Sequence, residues 1–311
     1  MKTILITGCN GQIGKSIISQ LQNVDDDYYI IGIDKKCEKQ ERVNEFYCSD
    51  IAYFNFNYFP RDINYIIHLA STVGSNEVVK EYSNVVRANV VGTLNLLQRY
   101  PNAKYLFVSS SEVHGFKEDE SLCSENDSCM LPTLDKRSIY GLSKALTECI
   151  CQYHSNWIIT RLFNVYGPNM NLESSKLTES ITRNYLNRQT INIYHSGNQK
   201  RTFTYVDNCA RIMLDLLFSN TKNDIFNIAS DDYITIKDFA STFLISLEKE
   251  FKIPYSITYN VPSQYDRTMY RKCDNSKIKK ITTNFTSLQD GIDLTTKWIK
   301  DNYALLLPLD R

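Results

Sequence analysis

The chain has 311 residues, 35 Lys+Arg against 35 Asp+Glu, with 42% hydrophobic and 23% charged residues. That length suits two domains, or one large domain with an appendage, and a sizeable core. The composition excludes global disorder, and the charge balance argues against nucleic acid or an anionic membrane as the main partner.

The opening MKTILITG enters a strand-like run directly, without a signal-peptide pattern, and no stretch reaches the length of a membrane helix. Nine Cys are scattered with no Cys-x-x-Cys pair, so free thiols in a reducing cytoplasm and no metal site are expected.

Taken in order, KTILIT reads as a buried strand, followed by a Gly-punctuated turn and a helix over IGKSIISQLQN. YYIIGID, NEFYCSDI and INYIIHLAS read as the next three strands. EVVKEYSNVVRANVVGTLNLLQRY has the three-to-four spacing of one long helix. The strand KYLFVSSS, the helix YGLSKALTECICQYH and the strand WIITRLFNVYG complete the first half. Segments 51–60 and 116–138 read as loops, and the acidic EDESLCSEND within the second suggests a mobile surface segment. Beyond Gly167-Pro168 we expect helices near 176–189, 207–218, 236–252 and 287–302, with a ribbon around INIYHSGNQKRTFTYV. Strands alternating with helices predict an α/β fold whose parallel sheet is covered on both faces.

Thr7-Gly8-Cys9-Asn10-Gly11-Gln12-Ile13-Gly14 joins the first strand to the first helix. Glycines there allow a tight turn and close backbone approach to a pyrophosphate, and the helix N-terminus supplies free N–H groups. Gly8, Asn10, Gly11, Gln12, Ile13 and Gly14 are therefore cofactor candidates. Asp34 ends the second strand, where a carboxylate can accept ribose hydroxyls and repel a 2′-phosphate, so NAD is favoured over NADP; Lys35 and Lys36 pull the other way. Asp50 and Ile51 can hold the adenine.

Tyr140 and Lys144 lie four apart in a helical pattern and share a face. A nearby ammonium and an oxidised nicotinamide both favour the phenolate. Ser109-Ser110-Ser111-Glu112-Val113-His114-Gly115 follows a strand, placing a hydroxyl where it can hydrogen-bond a reacting oxygen. With the cradle upstream, these residues make an oxidoreductase-type site.

The order and spacing of TGCNGQIG, Asp34, HLAS, NVVGTLNLL, SSSEVHG, YGLSK, RLFNVYGP, GNQKRTFTYVD and FNIAS resemble the extended short-chain dehydrogenase/reductase superfamily, in its nucleotide-sugar epimerase/dehydratase group. The resemblance covers nearly the whole chain. It implies a Rossmann-type doubly wound parallel sheet with a smaller α/β substrate-binding domain. Residues 1–166, with about 203–229, would bind NAD; 167–202 and 230–311 would bind a nucleoside-diphosphate sugar. It implies oxidation at sugar carbon 4, with Ser110 and Tyr140 at the reacting hydroxyl and Lys144 on the nicotinamide ribose. Leu69, Ala70 and Ser71 would line the cofactor, and Asn89 would lie near the nicotinamide. Ser111 would line the substrate site, Asn164 would meet the substrate pyrophosphate and Arg201 a phosphate. A homodimer through helices 75–99 and 140–153 is also implied.

This sequence departs from the group at His114, where Tyr is usual, at Asn169 and at Thr202. Dehydratases in the group resemble Asp-Glu at 111–112, where this chain has Ser111-Glu112. Decarboxylases that make UDP-pentoses resemble Thr-Ser-Glu across 110–112, and their Arg-Lys-Pro-Asp stretch is similar to Arg271-Lys272-Cys273-Asp274. The 4-keto intermediate can then be re-reduced, dehydrated, decarboxylated or released, with Glu112 serving the second step. An NADP-dependent 4-keto-sugar reductase and a non-enzymatic NAD-binding regulator are the competing classes. Loops 170–200 and 255–271 would choose the sugar and base.

Overall fold

The structure, a computed structural model, describes residues 1–24, 28–59, 62–74, 76–261 and 268–306. Part of the expected sugar-selecting loop 255–271, residues 262–267, and residue 75 of the expected dimer helix lie outside the described residues.

The strands are β1 (Lys2–Thr7), β2 (Tyr28–Asp34), β3 (Glu45–Cys48), β4 (Tyr65–His68), β5 (Lys104–Ser110), β6 (Leu122–Cys123) and β7 (Trp157–Leu162). They continue with β8 (Asn164–Tyr166), β9 (Ile191–Tyr194), β10 (Lys200–Tyr205), β11 (Asp224–Ile228), β12 (Tyr233–Thr235), β13 (Ile257–Val261) and β14 (Tyr270–Cys273). Seven of them form one parallel sheet in the order β11-β7-β5-β4-β1-β2-β3. The apolar runs of the sequence follow from this arrangement, because a parallel strand is buried on both faces. Ile4 and Ile6 point to one core, with Ile17, Met213 and Leu217, and Leu5 points to the other, with Ile66, Leu96 and Tyr105.

Helix α1 (Gln12–Gln20) covers the first face. Helices α2 (Glu77–Lys80), α3 (Tyr82–Val86), α4 (Gly92–Arg99) and α5 (Ser138–Cys151) follow in the chain. The single helix expected over 77–100 is broken at Glu81 and underwound at Arg87–Val91, a wider π-type turn that accommodates Asn89. Helices α6 (Leu177–Leu186), α7 (Val206–Phe218), α8 (Ile236–Phe251) and α9 (Leu288–Asp301) lie close to their expected spans. Thr235 and Ser287 cap α8 and α9 by accepting from Asp238 N and Asp290 N.

Four expectations need correction. WIITRLFNVYG is not one strand: the chain leaves the large sheet at Phe163, and β8 pairs with β10 in a second sheet, β12-β10-β14-β6. The ribbon at 191–206 is not one unit either: β9 pairs with β13 and β10 pairs elsewhere, since left-handed His195, Ser196 and Gly197 turn the chain between them. Segment 116–138 is tied down, because β6 adds to the β14 edge and Arg161 donates to Glu125 O. Finally, Cys37 and Cys48 are not free thiols but a disulfide, brought together because β2 and β3 end side by side. Cys9, Cys123, Cys129, Cys149, Cys151, Cys209 and Cys273 are free.

Candidate active site

The strand order reverses between β1 and β4, which opens a crevice beyond their C-terminal ends. The Gly-rich turn sits there. Gly8 has φ +71°, and a Cβ on it would lie 2.8 Å from Ala70 N; a Cβ on Gly14 would lie 2.6 Å from the carbonyl oxygens of Gly8 and Cys9. Gly11 is the N-cap of α1 and offers no side-chain cap, so the first-turn N–H groups are left for an anion. Asn10 braces the turn. Its N–H donates to Asp34 Oδ2 at 2.8 Å, and its amide donates to Lys36 O and Glu38 O, both at 2.7 Å. Gln12 reaches across to the carbonyls of Gly167 and Pro168. Ile13 packs against the core beneath.

Asp34 Oδ1 accepts from Lys36 N at 2.9 Å, so each oxygen of Asp34 keeps a lone pair for a ribose hydroxyl. Lys35 is exposed beside it. Asp50 closes its own turn by accepting from Ala52 N, and buried Ile51 lies against Gly92. Leu69 N and Ala70 N are held by Thr7 O and Thr7 Oγ1. These features fit NAD: glycines whose side chains would fill the cradle, and a free carboxylate edge at the second strand's end.

Beyond the cradle, the hydroxyls of Ser110 and Ser71 lie beside Tyr140, and each favours its phenolate. Ser110 caps the 3-10 turn Ser111–His114 by accepting from Glu112 N at 3.2 Å. Lys144 Nζ donates to Val108 O at 2.8 Å and lies 5.9 Å from the Tyr140 ring centre and 4.9 Å from that of Phe107. Burial pulls the Lys144 ammonium down to about 7. Burial, reinforced by the Glu112 carboxylate, pushes the Tyr140 phenol well above its ordinary value. The expectation that Lys144 lowers Tyr140 is therefore not met in the free protein, because the amine points to the Val108 carbonyl.

Two ion pairs flank this pair; the sequence reading missed Arg137 in the first and both members of the second. Arg137 Nη2 grips Glu112 Oε1 at 2.6 Å one turn before Tyr140. Glu148, one turn after Lys144, takes both Arg161 Nε and Nη2, and accepts from Ser109 Oγ at 2.5 Å. The signal was available: Arg137, Tyr140, Lys144 and Glu148 recur at helical spacing. His114 is buried, contacts Asn227 Oδ1 at 3.3 Å, and is pulled down to about 4 by burial and by Arg161. It packs as a neutral ring.

Asn89 is buried and donates to Ser143 Oγ at 2.9 Å, joining the π-type turn to α5. Ser111 is buried under the 3-10 turn. Asn164 opens β8, in register with Phe203 of β10. Arg201 and Arg271 are register partners on β10 and β14, and both are buried. Arg201 donates to Lys200 O, Met269 O and Thr268 O. Arg271 Nη2 meets Thr268 Oγ1 at 3.3 Å, and its Nε has no hydrogen-bond partner. Among the described residues no cluster has metal-ligand character.

Residues 4–229 match the model of the NAD dependent epimerase/dehydratase family. The chain is 24% identical to a UDP-N-acetyl-alpha-D-glucosaminuronate decarboxylase of Bacillus cytotoxicus, covering 96% of this chain and 98% of that protein. It is similar in structure to a UDP-glucuronic acid 4-epimerase from Bacillus cereus in complex with UDP-glucuronic acid and NAD, at 25% identity and TM-score 0.83, over 97% of this chain and 100% of that one. A dTDP-glucose 4,6-dehydratase from Streptomyces venezuelae with NAD bound shares the fold, at 23% identity and TM-score 0.85, over 99% of this chain and 100% of that one. The cradle, the Tyr140–Lys144 pair and the family match converge on one conclusion: the chain belongs to the NAD-dependent epimerase/dehydratase family and is an enzyme that uses NAD.

Proposed function

We propose that the protein oxidises a nucleoside-diphosphate sugar at carbon 4 and then reduces the 4-keto intermediate again, as an epimerase. The observation that carries this is the grouping of Tyr140, Ser110 and Ser71 beside the Gly8–Gly14 cradle, with Lys144 within one helical turn. Gly8–Gly14 and Asp34 would hold NAD, with Asn10 bracing the turn between them, and bound NAD supplies the hydride acceptor. Ser110 and Tyr140 hydrogen-bond the carbon 4 hydroxyl, and Tyr140 takes its proton. Because the free protein favours the neutral phenol, deprotonation accompanies the arrival of positive charge beside the ring. Lys144 exchanges the Val108 carbonyl for the nicotinamide ribose and steadies the phenolate. Arg201, Arg271 and Asn164 meet the pyrophosphate.

Water loss would need an acid to protonate a leaving hydroxyl. Position 111 is a buried Ser, and Glu112 is engaged by Arg137, which favours hydride return over dehydration. The same pair supports a second reading, decarboxylation of a hexuronate: Arg137 is a guanidinium beside Tyr140 that a substrate carboxylate can approach. Asp34 counts against an NADP-dependent reductase.

The test is incubation with NAD and a panel of nucleotide-linked hexoses and hexuronates, followed by mass and NMR analysis. An unchanged mass with inverted carbon 4 supports epimerisation, loss of carbon dioxide supports the second reading, and loss of water refutes both. We also propose a homodimer through the π-type turn, α4 and α5, whose outer faces leave Val91, Leu94 and Leu146 exposed. A monomer by light scattering would refute it.

A further inference from the structure

We propose that Cys37 and Cys48 form a reversible thiol–disulfide site that sets how tightly the protein holds the adenosine half of NAD. The two residues end neighbouring segments: Cys48 closes β3 as the register partner of Asp34, and Cys37 lies three residues beyond Asp34. Their Cα atoms are 4.9 Å apart, within the span a disulfide bridges without backbone movement. Both are exposed, so small redox partners can reach them, whereas five of the seven free cysteines are buried.

The bridge is coupled to the cofactor site through backbone already described. The loop carrying Cys37 is tied to the cradle by Asn10, which donates to Lys36 O and Glu38 O. Lys36 N in turn holds Asp34 Oδ1 at 2.9 Å. On the far side, Ser49 N, next to Cys48, donates to Asp34 O at 2.9 Å. Both sulfurs lie 3.9 Å from Lys35 O. The disulfide thus adds a covalent tether to a loop otherwise held by noncovalent contacts to the cradle, to Asp34 and to α1. Reduction removes that tether, and NAD must then order the loop on binding, which weakens affinity.

The co-reactant is a small-molecule disulfide such as oxidised glutathione. One protein thiolate attacks its S–S bond and releases one glutathione thiolate. The second protein thiolate attacks the resulting mixed disulfide and releases the other. Two protein thiols lose two electrons and two protons, and one glutathione disulfide becomes two glutathione thiols. A small dithiol reductant reverses the exchange.

The experiment compares the full chain after equilibration with oxidised glutathione and after a phosphine reductant. Thiols are counted by alkylation of the denatured chain and mass, and NAD affinity of the folded protein is read by calorimetry. Two of the nine cysteines should resist alkylation in the oxidised form. The reduced form should bind NAD about 3- to 10-fold more weakly, the equivalent of ordering one or two side chains. The double variant Cys37→Ser/Cys48→Ser should behave as the reduced form and ignore the oxidant. The proposal rests on Asp34 lying at the adenosine ribose, so Asp34→Ala is measured in parallel. Nine alkylated thiols after oxidation, equal affinities in the two forms, or a redox response that survives in the double variant would each overturn it. If Asp34→Ala still weakens NAD in that event, the adenosine assignment stands and the redox site alone falls.

Discussion

Arg201 and Arg271 are direct register partners on adjacent parallel strands, two buried guanidiniums whose Cα atoms pair across the ladder. Like charges so placed disfavour each other, and an anion bound beside both would offset that. Replacing Arg271 by Met should therefore leave the free protein at least as stable in urea unfolding. The same change should weaken binding of a UDP-sugar by about tenfold or more, roughly the worth of a charge-assisted hydrogen bond. Unaltered affinity by calorimetry would remove Arg271 from the phosphate site.

Tyr140→Phe removes the proton acceptor and leaves the ring in place. Turnover should fall about 10²- to 10⁴-fold, the usual share of general acid–base catalysis. NAD affinity, measured by fluorescence titration, should change little. Full turnover in the variant would sink the assignment.

Glu112 raises the Tyr140 phenol, second only to burial. Neutralising it with Glu112→Gln takes a negative charge from beside the phenol, so the phenolate becomes easier to form. In kcat/KM against pH, the limb that reports Tyr140 should move to lower pH in the variant. A shift to higher pH, or none, would show that Glu112 does not act on this phenol.

Lys144 gives a stability signature. Its amine titrates near 7 in the folded free protein, against its ordinary 10.5. Between those values the unfolded chain binds the extra proton, so stability rises with pH across that window, by about 1.4 kcal/mol per unit. Below pH 7 both states are protonated and the slope vanishes. Measured against Lys144→Met by urea unfolding, the wild-type protein should gain relative stability from pH 7 to 10. Parallel curves would mean that the amine titrates normally.

Glu148 joins three elements through one buried carboxylate. Glu148→Ala strands the Arg161 guanidinium and should cost about 3–5 kcal/mol. Adding Arg161→Met should recover part of that loss, since the unpaired charge goes with it. Additive losses in denaturant unfolding would argue that the two side chains do not work as a pair.

Much of this was legible in the residues. Ile4-Leu5-Ile6 announces a strand buried on both faces, and the Gly8–Gly14 spacing marks the turn that follows. Tyr140 and Lys144 share a face by helical arithmetic alone, and the same arithmetic extends to Arg137 and Glu148. What could not be read depends on which strands end as neighbours. Cys37 and Cys48 carry no signal until β2 and β3 pair in parallel. INIYHSGNQKRTFTYV reads as one ribbon, but partners distant in sequence, β13 for one strand and β8 and β14 for the other, pull its halves apart. The Tyr140 environment was misjudged for a related reason. Proximity of Lys144 in sequence says nothing about the Val108 carbonyl that its amine faces.

The change of sheet at Phe163 has a mechanical consequence. Leu162 belongs to the ladder beside Ser110, and Asn164 already belongs to the ladder beside Phe203. With one residue between the two ladders, the strand carrying Ser110 and the wall carrying Arg201 cannot drift apart without breaking a strand. A bulkier sugar must then be accommodated by trimming side chains, not by spreading the cleft.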